Sequence, residues 1–332
     1  MRTFAFSSAE SIDQAVAGSQ DDESESSYIA GGTTLIDLVK LDVMRPSRII
    51  DVNRLPLREV EELDDGRLRI GALVSNTDLA HHPLVTARYP LLSQAILAGA
   101  STQLRNMAST AGNIMQRTRC PYFRDVAAAC NKREPGSGCD AFEGINRMHA
   151  LLGTSEHCIA THPSDMCVAL AALGATLTLE GLDDTRDIAF EDFHRLPGDR
   201  PDLEHELEPG ELITHVTLDA PIEGGGAHYL KLRDRASYEF ALASAAAMVV
   251  VEDGVIRDAR LALGGVATKP WRAIEAEQVL KSWPAETESF AKAAEIALSD
   301  ALPRQHNAFK VPLARQAIVR AFEKATQAAT DS

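Results

Sequence analysis

Four of the five cysteines of this 332-residue chain, Cys120, Cys130, Cys139 and Cys158, fall within 39 residues of one another. Thiolates ligate zinc and iron–sulfur clusters, and four of them in one segment have the composition of a complete ligand set. The gaps of nine, eight and eighteen residues are wider than any C-x-x-C arrangement, and Cys167 follows just outside. Between the cysteines the chain reads CPYFRD, CNKREPGSGCDAFEGINR and SEHCIATHPSD, with Pro, Gly, Asn and charge in place of helical or strand periodicity. A structureless loop of about 40 residues is rare in a compact domain unless something fastens it or it carries function. Three chemistries are open. A disulfide framework needs an oxidising compartment and leaves one thiol over. A four-cysteine zinc site usually draws on closely spaced pairs, and an iron–sulfur cluster tolerates varied spacing. From Arg117 to Arg133 there are five cations (Arg117, Arg119, Arg124, Lys132, Arg133) against Asp125 alone, in a chain of formal net charge −15. Such charge stabilises an anionic thiolate centre, whether its metal is zinc or iron.

A second stretch able to do chemistry is Tyr28-Ile29-Ala30-Gly31-Gly32-Thr33-Thr34-Leu35, which reads as a strand turning through paired glycines into a helix ending near Lys40. Consecutive glycines let backbone N–H groups face one anion, and Thr33 or Thr34 can cap a helix whose N-terminal dipole adds to the attraction. The segment is neither a Walker loop nor G-x-G-x-x-G, and an ordinary strand–turn–helix joint fits it equally well. In LRNMASTAGNIM, small residues leave the backbone approachable, and Ser109, Thr110 and Asn113 can bond phosphate oxygens or a ring edge; an Asn/Gly turn is the plainer reading. Ser164 or Asp165 is a good N-cap for an apolar helix from Met166 to Gly174, with Asp165 also able to accept bonds from ligand hydroxyls. Cys167 inside that helix reads as a small buried hydrophobe. The histidines form no H-E-x-x-H or triad pattern.

The elements that position these residues follow from pattern. Phe4 to Phe6 reads as a strand, with Ser7 and Glu10 as a capping box for a helix whose apolar face is Ile12, Ala15 and Val16. The run Asp21 to Glu25 reads as a solvated loop. RIIDV and RLRIGA are predicted strands, with Asp64-Asp65-Gly66 as a turn between them, and Thr77 to Ala80 and Pro90 to Ala100 predicted helices. Ala175 to Leu179 and the stretch after Glu208-Pro209-Gly210 add strands, and DAPIEGGG (219–226) is the best linker candidate. Beyond it come strands at Tyr229 to Arg233, Ala247 to Val251 and Ile256 to Leu263, the last two joined by the hairpin Glu252-Asp253-Gly254, then helices at Ser289 to Leu302 and Leu313 to Ala325. The length predicts about two domains. The acid excess argues against nucleic acid or anionic lipid as partner. No run is long enough to span a membrane, and MRTFAFSSAESIDQAV lacks the apolar core of a signal peptide. The expected location is cytoplasmic, or periplasmic by co-export with a signal-bearing partner.

Taken in order, YIAGGTTLIDL, LRNMASTAGNIM, ATHPSDM, GELI, YLKLRDRASYEFALASAAA and LALGGVATKPWRA resemble the flavin subunit of molybdenum hydroxylases over nearly the whole chain. That family includes xanthine dehydrogenase, aldehyde oxidoreductases and carbon monoxide dehydrogenase. The resemblance implies an α+β chain. An FAD-binding domain of the para-cresol methylhydroxylase type would span 1–222 in subdomains of about 1–56 and 57–222. A smaller α+β domain with an antiparallel sheet and C-terminal helices would span 227–332. The cysteine loop, 117–160, is similar to that of the flavin subunit of periplasmic-type aldehyde oxidoreductases and of the β subunit of 4-hydroxybenzoyl-CoA reductase, where the insertion holds a [4Fe-4S] cluster. By that likeness Cys120, Cys130, Cys139 and Cys158 are the ligands. The family pattern puts the FAD pyrophosphate on the amides of Ala30, Gly31, Gly32, Thr33, Thr34 and Leu35, with Ser109, Thr110, Gly112 and Asn113 as the second loop. Ala111 stands there in place of a glycine. Asp165 would bond adenosine or ribityl hydroxyls, and Lys231 would lie near the isoalloxazine. The implied role is electron transfer in a molybdenum-dependent aldehyde oxidoreductase, from a molybdopterin-binding large subunit and a [2Fe-2S] small subunit through FAD to an external acceptor. Two rivals remain: a benzoyl-CoA-type reductase subunit with electron flow reversed, and a zinc-stapled scaffold without flavin.

Overall fold

The structure is a computed structural model, and it describes residues 2–20 and 25–330. Of the predicted acidic loop only Glu25 lies among the described residues. The first layer is a parallel three-stranded sheet of β1 (Ala5–Ser8), β2 (Ser26–Ile29) and β3 (Arg48–Asp51), in the order β1-β3-β2, with α1 (Ile12–Ser19) and α2 (Leu35–Lys40). Ala15 and Val16 of α1 are buried against Ile50 and Val52, as their helical spacing predicts. The cap lies one turn later than the Ser7/Glu10 pair. Ser11 Oγ accepts from Gln14 N at 3.2 Å, while Gln14 Oε1 accepts from Glu10 N at 2.7 Å. Ser7 belongs to β1, whose backbone is committed to the ladder.

The second layer is an antiparallel five-stranded sheet. Its strands are β4 (Val60–Glu62), β5 (Leu68–Gly71), β6 (Thr176–Glu180), β7 (Thr185–Ala189) and β8 (Leu212–Leu218), in the order β4-β5-β8-β6-β7. RIIDV and RLRIGA form the predicted strands β3 and β5; the turn at 64–66 joins β4 to β5, while β3 sits in the other sheet. Packed with this sheet are α3 (Asn76–His81), α4 (Pro83–Arg88), α5 (Pro90–Ala98), α7 (Thr110–Ile114) and α9 (Asp165–Leu173), with α6 (Thr102–Met107) against α3; α8 (Pro121–Arg124) packs its Phe123 against Leu38 of α2, and α10 (Phe190–Phe193) follows β7. All nine residues of α9 are buried, which its DMCVALAAL composition requires of a central helix. The helix stops at Gly174, where φ is 67°. LRNMASTAGNIM, read as a turn, is instead two short helices broken at Ala108-Ser109.

The third layer is an antiparallel sheet of β9 (Gly225–Leu232), β10 (Ala243–Glu252), β11 (Val255–Gly264) and β12 (Trp271–Arg272), in the order β12-β11-β10-β9. It is backed by α11 (Ile274–Leu280), α12 (Thr287–Ala297) and α13 (Lys310–Thr330). The predicted hairpin is present, with Asp253 and Gly254 at φ of 53° and 75°. The predicted linker ends earlier than expected, because Gly225 and Gly226 already pair in β9. A Cβ on Gly226 would stand 1.9 Å from Ala325 O, so the glycine lets α13 lie directly on the strand. Among the described residues, no helix is long and apolar enough to cross a membrane.

Candidate functional site

β2 delivers Ala30, Gly31 and Gly32 to the start of α2, and Gly32 adopts φ of 69°, a conformation suited to glycine. Gly31 is fixed by contact. A Cβ there would stand 1.8 Å from the Met107 carbonyl oxygen, so this loop rests directly on the α6–α7 segment. Among the described residues, the N–H groups of Gly31, Gly32, Thr33 and Thr34 donate to no backbone or side-chain acceptor. These residues line a cleft of about 630 Å³ together with Ser109 and Gly112, apolar Leu55, Leu57 and Leu73, and a strap running from Asp202 to Ile213. Unpaired amides beside apolar walls suit an anionic group joined to an aromatic ring system. The expected cap is missing: Thr34 occupies the N-cap position without a side-chain bond, and α2 has six residues. Anion attraction therefore rests on the amides more than on a dipole.

In the second loop, Ser109 Oγ accepts from Gly112 N at 3.2 Å and caps α7. Thr110 is buried and its Oγ1 donates to Val74 O at 2.9 Å, so that hydroxyl holds the loop and does not line the cleft. Asn113 Oδ1 accepts from Ser164 Oγ at 2.7 Å, tying the loop to the N-cap of α9. Ala111, where the family pattern has glycine, keeps an ordinary negative φ and packs its methyl against two apolar cores.

Asp165 opens α9 and is committed on both oxygens. Lys231 Nζ on β9 stands 2.8 Å from Oδ2, and Tyr229 OH donates to Oδ1 at 2.6 Å. The Lys231 side chain is 4% exposed and also donates to Ala98 O at 3.1 Å, so the lysine faces inward rather than toward solvent. Burial and the adjacent carboxylate push the Tyr229 hydroxyl well above its ordinary range, keeping it a donor. Asp165 lines a second hollow of about 210 Å³ with Ser164, His162, Phe240, His149 and Cys120.

Cys120, Cys130, Cys139 and Cys158 line one small cavity with Tyr122, Phe123 and Ala160. None is in a disulfide. Cys130 and Cys139 face each other in an isolated antiparallel bridge, which sets two thiols side by side. Burial pushes the Cys120 thiol up to about 12 and the Cys139 thiol up to about 11, so thiolates there need a bound cation to stabilise them. The loop's own cations act mostly elsewhere, which the charge count did not foresee. Arg133 donates to the Tyr122 and Phe123 carbonyls at 2.8 and 2.9 Å, and Arg124 pairs with Asp37 at 2.7 Å. Arg117 and Lys132 meet Glu204 at 2.8 and 3.3 Å, and Lys132 also acts to lower the Cys158 thiol. Burial acts to raise the Glu204 carboxyl, but Lys132 and Arg117 outweigh it and hold it at about 2.

Residues 2–220 match the FAD-binding domain of molybdopterin dehydrogenase, and residues 228–325 the C-terminal domain of carbon monoxide dehydrogenase flavoprotein. The chain belongs to the molybdopterin dehydrogenase FAD-binding family. It is 52% identical to the aldehyde oxidoreductase FAD-binding subunit of Escherichia coli, over 90% of this chain and 91% of the relative. Against the glyceraldehyde dehydrogenase medium chain of Sulfolobus acidocaldarius identity is 28%, over 83% and 80%. The solved carbon monoxide dehydrogenase of Hydrogenophaga pseudoflava superposes with a TM-score of 0.78 at 26% identity, covering 98% of both chains. Family membership gives the chain an FAD-binding domain, and the free amides and apolar walls of the cleft fit that cofactor.

Sequence reasoning about this flavoprotein missed Tyr229, Glu204 and Lys310, whose roles depend on distant partners. It also attached no role to His162 and His194, which with Cys167 bring ligand atoms within 4.8 Å of one another. The His162 hydrogen bond argues against a metal held by all three. His162 Nδ1 accepts from Ser164 N, so a neutral ring carries its proton on Nε2, while His194 Nε2 faces Ile114 O and leaves only Nδ1 as a lone pair. Buried Cys167, pushed up to about 12, remains the small hydrophobe its helix position predicts.

Proposed function

We propose that this chain is the FAD- and [4Fe-4S]-bearing electron-transfer subunit of a heteromeric molybdenum-dependent aldehyde oxidoreductase. A molybdopterin-binding large subunit oxidises aldehyde and water to the acid, with release of two protons and two electrons. A [2Fe-2S] small subunit passes the electrons to this chain, which delivers them to an external acceptor. FAD supplies two-electron acceptance with release singly or in pairs, and the cluster supplies one-electron exchange. The chain's own residues bind and orient. The amides from Ala30 to Leu35 seat the pyrophosphate, Ser109, Gly112 and Asn113 shape the adjoining loop with Thr110 behind them, and Asp165 with Lys231 fixes the flavin end.

The observation that carries the paired cofactors is the position of Cys120, which lines both the thiol cavity and the hollow that holds Asp165. A centre on these thiols would share a wall with the hollow proposed for the flavin end. The wide spacing of the four cysteines along the chain, with no closely spaced pair, favours an iron–sulfur cluster over four-cysteine zinc. The 52% identity to an aldehyde oxidoreductase subunit favours aldehyde oxidation over reversed electron flow.

Anaerobic mixing of the assembled complex with an aldehyde tests the role. The flavin band near 450 nm should bleach in the complex and stay unchanged in the separated chain. Bleaching in the separated chain, or none in a complex whose large subunit is loaded with molybdenum, contradicts it.

A further inference from the structure

His149 stands where the thiol loop, the Asp165 hollow and the C-terminal helices meet. Its Nε2 lies 3.1 Å from Cys120 Sγ. The residue is 2% exposed, and its backbone is held from several sides. Asn307 Nδ2 donates to His149 O at 3.2 Å, and Lys310 Nζ donates to the same carbonyl at 2.9 Å. Lys310 also reaches Met148 O at 3.4 Å and Gly265 O at 2.5 Å, and His149 N donates to Asn146 O at 3.1 Å. The ring packs obliquely on Tyr122, with centroids 6.1 Å apart. A neutral imidazole has one N–H and one lone pair. A ligated thiolate is an acceptor, and the tautomer that fits it carries the proton on Nε2. Among the described residues Nδ1 has no partner, so no second bond competes for that proton.

We propose that His149 is a positioning residue that donates Nε2–H to Cys120 Sγ and raises the reduction potential of the centre Cys120 ligates. A hydrogen bond to a ligating sulfur draws electron density from it and stabilises the reduced, more negative state. The proposal rests on the [4Fe-4S] reading above. Lys310 and Asn307 hold the ring in range by fixing its backbone from α13 and the turn before it. They lie about 160 positions away in the chain, which links the thiol loop to the C-terminal helices.

The test uses the assembled complex with His149→Phe, which keeps a ring against Tyr122 and removes the donor. With iron and sulfide content unchanged, the cluster midpoint in an EPR-monitored titration should fall by about 59 mV, about tenfold in the one-electron equilibrium, while the flavin midpoint stays fixed. His149→Gln, which retains an N–H donor, should recover most of the shift. An intact cluster with an unchanged midpoint in His149→Phe overturns the proposal. Should that variant fail to assemble, the native complex labelled with ¹⁵N-histidine decides the matter. Weak nitrogen coupling to the reduced cluster is expected, and either ligand-strength coupling or none overturns it. A native chain without iron would defeat the cluster reading itself, an outcome distinct from these.

Discussion

Lys231 on β9 and Asp165 at the head of α9 meet at 2.8 Å, joining the four-stranded sheet to the central helix of the flavin-binding region. Both side chains are more than nine-tenths buried, so neither charge has water as an alternative partner. Asp165→Asn should leave the Lys231 ammonium uncompensated and cost about 3–5 kcal/mol in denaturant unfolding. The double variant Asp165→Asn/Lys231→Met should recover part of that stability. Under the proposed role of this pair at the flavin end, flavin bound per chain should stay low in both.

Gly31→Ala tests the contact between the two loops proposed to hold the cofactor. The added methyl would fall 1.8 Å from Met107 O, a backbone atom that cannot swing aside. The Gly31 loop must move off α6, and the amides from Gly31 to Thr34 then no longer converge. The expected result is purified protein with flavin content reduced severalfold. Gly136→Ala, a glycine with φ of 86° and open space around it, should cost about 1 kcal/mol in stability and leave flavin content unchanged.

The Glu204 carboxylate ties Arg117 and Lys132 at the two ends of the first half of the thiol loop. Its folded value of about 2 lies below the ordinary 4.5, so the unfolded chain binds the proton more readily. The pairing therefore stabilises the fold fully above about pH 4.5, and that stability is lost as pH falls toward 2. Its size is on the order of 3 kcal/mol. Unfolding midpoints of the native chain and Glu204→Gln should differ at pH 7 and converge toward pH 2. A gap constant across that window would remove Glu204 as the clamp.

Much of this architecture is legible in the residues, for physical reasons that differ by element. α9 and the β10–β11 hairpin stand out because an unbroken apolar run and an Asp-Gly turn each have one good solution. β4 and β7 do not stand out. They are edge strands of three and five residues, VEE and TRDIA, whose half-exposed faces leave little alternation to detect. The cysteines are conspicuous by type, whereas the fastening of their loop is not. Lys310, in a helix far along the chain, gives no sign of its three carbonyl partners. The cation count near the thiols points to an anionic centre, yet Arg133 and Arg124 serve loop carbonyls and Asp37 instead. Pairing partners distant in sequence decide such roles, and local pattern does not contain them.

Cys130→Ser tests whether the proposed metal centre and the flavin are held independently. Cys130 packs with Leu38 of α2 and Phe123, and lies away from the cleft lined by Gly31 and Gly32. Cys130→Ser should abolish or deplete the metal centre while leaving most of the flavin bound. Loss of both together would mean that the loop and α2 fold as one unit with the cofactor.

The most direct test of the central claim is flavin, iron, acid-labile sulfide and zinc analysis of the native chain, separated anaerobically from its partner subunits. One flavin with about four iron and four sulfide per chain is the predicted result. One flavin with stoichiometric zinc, or with no metal, would leave the family assignment standing and contradict the cluster on Cys120, Cys130, Cys139 and Cys158.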